Sequence, residues 1–339
     1  MKKIISVAIS FVLLIISIFS FSSMDFSDGE SITTKQDVVE LMLFAGGGEE
    51  IVNNLKNMNK EKHKASMMSE RLSEEQEEGD ENKNKFHNVT IDINSSVSYD
   101  RKYSNEFRYI RGKGHDVRKE KICLTEESVY YEAQIDKSYL QGATSGEIND
   151  EETVFLTMKA SAYIDQDRTL FRVDFVSSTD EEMPQGVELL VGKWVDVDAV
   201  GFIGEYLEDL LAHIKAISFY FLELKDTLFM ESNSCYNVKE EYSKMVAYGL
   251  VNGIHPSKIT KYKEEAEDYS GRFIVNCFNE KKPEVDILLE LDEREGRDYC
   301  QVYIKRNYVF SKINSTNVDI GQPIVYTEED LDKLYEGEL

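Results

Sequence analysis

Few residues of this sequence stand in a spacing that supports catalysis. The stretch nearest to a hydrolase nucleophile elbow, G-x-S-x-G, is Gly142–Gly146, and it has Thr144 where the serine would stand. The five histidines do not have the spacing of zinc ligands, and His213 lies beside the apolar positions of a predicted helix. We therefore predict no catalytic residue, no metal site and no cofactor.

Two further short motifs could suggest phosphate or calcium binding. Gly46–Gly48 lacks the Lys and Ser or Thr of a phosphate-binding loop, and we predict that it breaks a helix instead. Asp196–Asp198 is not followed by a twelve-residue calcium loop with a terminal Glu. We interpret this acidic pair as the solvated edge of a hairpin.

Apolar side chains recur at every second residue in several segments and could line a hydrophobic cavity. This period of two, clear from Asn88 to Tyr99, is typical of a strand with one buried face. The residues expected to line such a cavity are Ile91, Ile93, Tyr131, Phe171, Val173, Phe175, Leu207, Leu211, Ile214, Ile287 and Leu289. A filled core would use the same residues, so both interpretations stay open.

The elements that must position these residues form an α+β fold. Polar-out alternation indicates about nine antiparallel strands, because parallel strands are covered on both faces. An amphipathic helix is predicted from Ile203 to Phe221, and a second one from Val238 to Tyr248, capped by Asn237 and Glu240. We predict an antiparallel sheet in meander order, with the helices as candidates to cover its apolar face.

Charge and composition narrow the classes of partner. The chain has 339 residues, with 39 Lys and Arg against 64 Asp and Glu, a formal charge of −25. Such a chain repels phosphate backbones, so we expect no nucleic-acid partner.

The four cysteines lack CxxC spacing. A Cys277–Cys300 bridge is disfavoured because these residues would lie two strands apart, and no disulfide is assigned.

The first residues are typical of a targeting segment. Lys2 and Lys3 precede 18 uncharged, mostly apolar residues, which predicts that residues 1–23 are a cleaved signal peptide or an uncleaved membrane anchor. Either alternative places the protein outside the cytoplasm, as a secreted or surface-anchored chain. Membrane contact is expected only if the segment is retained.

Composition also divides the rest of the chain. Residues 24–86 are predicted to be a short helical segment followed by an acidic disordered linker, which begins near Asn57. Residues 87–325 form the antiparallel sheet domain with a helical insertion at 199–250. Residues 326–339 are an acidic tail.

Two short motifs carry a family resemblance. They are Gly192–Asp198 and the closing segment from Phe310 to Pro323. With the order of elements, they resemble the LolA, LppX and LprG type of extracytoplasmic lipid-handling proteins over about residues 87–325. The resemblance implies that the antiparallel sheet is strongly curved into a half-barrel, with helices covering its concave face and acyl chains held between them. The sequence departs from the family in lacking a lipobox Cys and in having the acidic linker.

Three functions follow as hypotheses. The first is an exported, non-enzymatic protein that binds a lipid or other hydrophobic small molecule between sheet and helices. The second is a membrane-anchored module of the cell envelope with a filled core and an unidentified protein partner. The third is an unrecognised hydrolase.

Overall fold

A computed structural model gives the fold. It describes residues 32, 34–67, 85–104, 109–141, 152–179, 191–196, 201–223, 228–232, 235–238, 240–252, 254, 256–276, 281–296, 298–327, 330 and 333. The predicted signal or anchor, residues 68–84 of the predicted linker, the Thr144 loop, Cys277 and most of the predicted tail lie outside the described residues. No helix among the described residues is both long enough and apolar enough to span a membrane.

The described residues form one open, mostly antiparallel sheet and three α-helices. The strands are β1 (Asn88–Ser104), β2 (Tyr109–Thr125), β3 (Ser128–Gln141), β4 (Glu152–Asp165), β5 (Thr169–Ser178), β6 (Trp194–Asp196), β7 (Leu228–Ser232), β8 (Cys235–Val238), β9 (Tyr269–Asn276), β10 (Glu284–Glu295), β11 (Asp298–Ser311) and β12 (Val325–Tyr326). The helices are α1 (Lys35–Met67), α2 (Gly201–Glu223) and α3 (Glu240–Asn252), with a 3₁₀ turn at Pro256–Lys261. This confirms the α+β class and the antiparallel sheet.

Strand order brings the two halves of the chain together. The order is β12-β6-β5-β4-β3-β2-β1-β11-β10-β9-β8-β7, and the short β12–β6 pair is parallel. The first long strand, β1, pairs with β2 on one side and with the late strand β11 on the other. The described sheet has twelve strands rather than about nine, because short edge strands carry too few residues for a readable alternation.

The alternation of β1 separates a covered face from an open one. Ile91 lies between Ile122 and Phe310, and all three side chains are fully buried. The same cluster contains apolar residues of all three helices, so the helices pack on this face. Hydrophobic burial on the helix-facing side is what holds the helices to the sheet.

Helix α1 runs without interruption through Gly46–Gly48, so the prediction that these glycines break a helix is wrong. Helix α2 crosses at this point: a Cβ on Gly46 would lie 2.6 Å from the Cα of Lys215. Close packing of two helices outweighs the poor helix propensity of glycine. Helix α1 also continues past Asn57 to Met67, so this part of the predicted linker is helical.

Phe175 does not face the helices, and its assignment to the cavity lining is wrong. Val173 pairs with Ala160, but Phe175 pairs with Lys159, which leaves Asp174 as the extra residue of a β-bulge. A bulge reverses the alternation beyond it. Phe175 is therefore 51% exposed on the open face.

The second predicted helix is displaced along the chain. It begins at Glu240, whereas the predicted cap, Asn237, lies in β8 and pairs with both neighbouring strands. Cys235 belongs to the same strand. The described free cysteines are Cys123 and Cys300.

Candidate functional site

The predicted cavity lining lies in the core. Every residue of that set except Phe175 belongs to the buried hydrophobic cluster, with at most 6% exposure. Neither of the two cavities described below is lined by any member of the set. The alternation therefore identified the buried face of the sheet, and both cavities are lined by other residues.

A cavity of about 760 Å³ lies across β3, β2, β1, β11 and β10. We call it the trough. Its lining consists of Ser98, Tyr99, Asp100, Lys113, Gly114, His115, Ser138, Tyr139, Leu140, Glu290, Leu291, Asp292, Gln301, Val302 and Tyr303. The strand register shows which face of the sheet these residues form.

Two cross-strand rows account for most of the lining. The first row runs Ser138, His115, Ser98, Tyr303, Glu290, and the second contains Lys113, Asp100, Gln301, Asp292. Both rows alternate with residues of the helix-facing side, so their side chains point to the open face. The row between them, which includes Gly114 and Tyr99, presents its backbone as the floor. On the helix side the Tyr99 ring occupies the space that a Cβ on Gly114 would take.

Two exposed aromatic rings lie along the line of the first row, Tyr303 within the row and Phe155 one strand beyond its β3 end. Tyr303 is 37% exposed, and Phe155, the direct neighbour of Ser138 on β4, is 57% exposed. Four strand steps separate these two residues, about 19 Å at ~4.8 Å per step. Large aromatic side chains so exposed on a sheet are candidate contact surfaces.

Neighbouring side chains hold each carboxylate of the trough in place. The hydroxyl of Tyr299 donates to Asp100 Oδ1 at 2.9 Å, and that of Ser270 donates to Glu290 Oε2 at 3.2 Å. Asp292 accepts from Arg294 at 3.1 and 3.2 Å and from Gln301 at 3.3 Å. The hydrogen bonds from Arg294 lower the pKa of the Asp292 carboxyl.

The trough brings a histidine next to two serines, which invites a comparison with hydrolases. His115 pairs across the sheet with Ser98 on one side and Ser138 on the other. Among the described residues, no hydrogen bond joins this imidazole to either hydroxyl. A nucleophile activated by a base requires that contact, so the geometry does not form a catalytic pair.

The histidine that sequence analysis placed on a helix, His213, lies on the covered face. Its Nδ1 is 3.1 Å from the Tyr308 hydroxyl and 3.4 Å from Nη1 of Arg306. Burial, with the nearby charge of Arg306, lowers the pKa of His213 to about 3. The imidazole is therefore neutral at neutral pH, and its role is to bridge helix α2 and β11.

A second cavity of about 310 Å³ lies between β6 and the segment after β11. It is lined by Cys123, Tyr130, Arg172, Trp194 and residues 317–320. Trp194 is only 7% exposed, and the Arg172 guanidinium lies 4.6 Å from the centre of its ring. Burial raises the pKa of the Cys123 thiol, so this cysteine is not activated as a nucleophile.

The described residues do not provide a set of side chains that could bind a metal ion. Among the described residues, no three His, Cys, Asp or Glu side chains stand close enough to share an ion. The trough carboxylates are instead engaged by hydroxyl, amide and guanidinium donors.

Sequence reasoning missed the trough because its residues are the polar half of the alternation, which was read only as solvent-facing. The signal that could have found it is the presence of Phe155 and Tyr303 at positions where that half is otherwise polar.

No protein-family model matches this chain, and no curated protein matches it in sequence.

Proposed function

We propose that this protein is a non-enzymatic binding protein whose ligand lies in the trough on the open face of its sheet. The observation that carries the proposal is the cavity of about 760 Å³ formed by five adjacent strands. Sites on paired strands hold their side chains more rigidly than sites on loops. The carboxylates of this site are further oriented by Tyr299, Ser270 and Arg294.

The proposal also includes export of the chain from the cytoplasm. Residues 1–23 would direct the chain out of the cytoplasm, so the trough would meet ligands of the cell exterior. Fractionation of the host tests export, because an exported chain is recovered outside the cytoplasm. The intact mass of the isolated protein then shows whether the segment has been cleaved or retained.

Mapping by NMR tests the binding site without assuming a ligand. A chemically diverse library of small fragments is added to the isotope-labelled chain, and amide shifts are recorded. We expect the shifts to concentrate in residues 98–100, 113–115, 138–140, 290–292 and 301–303. Shifts spread over the surface, or concentrated at the cavity beside Trp194, would contradict the proposal.

A second candidate is the hydrophobic ligand that the LolA-like resemblance implies, held between a strongly curved sheet and the helices. The observation that favours it is apolar surface left on the helix-facing side, where Val97, Val302 and Ile304 are only partly buried. Native mass spectrometry of the purified chain tests it. A co-purified lipid supports this candidate, and a bare mass after gentle purification opposes it.

A further inference from the structure

The lining of the trough mixes hydrogen-bond acceptors and donors. Asp100, Glu290 and Asp292 supply carboxylate acceptors, while Lys113 and Gln301 supply donors. An anionic ligand would face three carboxylates, and a cationic one would face Lys113 and the guanidinium beside Asp292. A hydroxyl both donates and accepts, so a neutral ligand with many hydroxyls matches every one of these groups.

The carboxylates are already oriented before a ligand arrives. Tyr299, Ser270 and Arg294 each donate a hydrogen bond to one carboxylate and so favour one of its orientations. Fixed side chains lose little rotamer freedom on binding, which lowers the entropic cost of forming new hydrogen bonds. This property favours a ligand that is recognised by several weak polar contacts.

The two exposed rings add a second kind of contact. Phe155 and Tyr303 stand in the same cross-strand row, about 19 Å apart at ~4.8 Å per strand. The flat C–H face of a sugar ring is apolar and stacks on an aromatic face. A separation of this size is too long for a monosaccharide and suits a linear chain of several sugar rings.

We infer that the trough binds a neutral, linear oligosaccharide. Tyr303 inside the trough and Phe155 just beyond its β3 edge would be stacking platforms, and the polar side chains of the two rows would be hydrogen-bonding partners for the sugar hydroxyls. This inference rests on the proposed function, since it names the ligand class of the same site. The overall charge of −25 acts against anionic polysaccharides and does not repel neutral glycans. The same charge attracts cations, so a cationic oligomer is the competing ligand in the test.

The test uses the full chain and five neutral hexasaccharides, namely cellohexaose, laminarihexaose, maltohexaose, chitohexaose and mannohexaose. Binding is measured by titration calorimetry and located by NMR shifts. We expect at least one of them to bind in the trough, and we expect Tyr303→Ala and Phe155→Ala each to weaken that binding about two- to tenfold. Tyr303→Phe keeps the ring and should bind like the original chain.

Phe175→Ala is the matched control. Phe175 is a similarly exposed aromatic residue, 51% exposed on the same face of the sheet but outside the trough. Its removal should leave the affinity unchanged. An equal loss of affinity in all three alanine variants would overturn the assignment of the two platforms.

Other outcomes separate this inference from the proposed function. If none of the neutral hexasaccharides binds at millimolar concentration, or if hexalysine or hexagalacturonate binds in the trough more tightly, the oligosaccharide assignment is wrong. In that case only the NMR fragment mapping tests the proposal that the trough binds a ligand. If fragments and sugars both avoid the trough, both proposals fail.

Discussion

At the scale of single residues, two buried serines have opposite surroundings. Ser95 is 5% exposed and its hydroxyl has no hydrogen-bond partner among the described residues, whereas Ser161, 1% exposed, donates to Asp174 at 2.7 Å. An unsatisfied buried hydroxyl costs about 1–3 kcal/mol. We expect Ser95→Ala to leave the free energy of unfolding unchanged or raise it, and Ser161→Ala to lower it by about 1 kcal/mol. Urea titration of both variants measures this, and a large loss in Ser95→Ala would show that its hydroxyl has a partner.

The buried imidazole of His213 should make the free energy of unfolding depend on pH. Its pKa is about 3 in the folded chain and about 6.5 when unfolded, so the unfolded chain binds the extra proton as the pH falls through this window. The stability that His213 contributes is complete above pH 6.5 and decreases towards pH 3, by up to about 1.4 kcal/mol per pH unit. In His213→Gln the decline with falling pH should be shallower, as measured by urea unfolding from pH 7 to 4. Equal slopes in the two chains would contradict the burial of this imidazole.

At the scale of elements, the crossing of helices α1 and α2 depends on one glycine. A Cβ on Gly46 would lie 2.6 Å from the Cα of Lys215, whereas a Cβ on Gly47 would meet no described atom within 4 Å beyond the local backbone of its own helix. Gly46→Ala should lower the free energy of unfolding by roughly 1–3 kcal/mol through overpacking. Gly47→Ala should raise it by up to about 1 kcal/mol, because alanine favours a helix. Thermal unfolding of the two alanine variants measures these changes. Equal changes in stability would mean that α1 and α2 do not touch at Gly46.

The β-bulge in β5 can be tested with alanine variants of the two phenylalanines on either side of it. Phe171 precedes the bulge and is 3% exposed, and Phe175 follows it and is 51% exposed. Phe171→Ala should cost about 3–5 kcal/mol of stability, and Phe175→Ala less than about 0.5 kcal/mol. Denaturant titration of both variants measures the difference. Similar costs would place Phe175 in the core, as uninterrupted alternation predicts.

At the scale of the whole molecule, a charge of −25 makes the folded chain repel itself. Salt screens this repulsion, because the Debye length falls from about 30 Å at 0.01 M to about 8 Å at 0.15 M. We expect the melting temperature at pH 7 to rise between these two salt concentrations. Near the isoelectric point of 4.7 the same change of salt should have a much smaller effect. A melting temperature that falls with salt at pH 7 would show that attractive ion pairs outweigh the repulsion.

The sequence by itself determined the class of fold, the antiparallel strands with one buried face, the long helix α2 and the consecutive strands β9, β10 and β11. These features depend on local periodicity, which any window of the chain contains. Tertiary structure decided the rest. The glycines of α1 remain helical because α2 packs on them, Phe175 turns outward because β4 lacks a partner residue for Asp174, and the trough exists only because β1 pairs with both β2 and β11. Each of these depends on contacts between residues far apart in the chain, and local periodicity carries no record of such contacts.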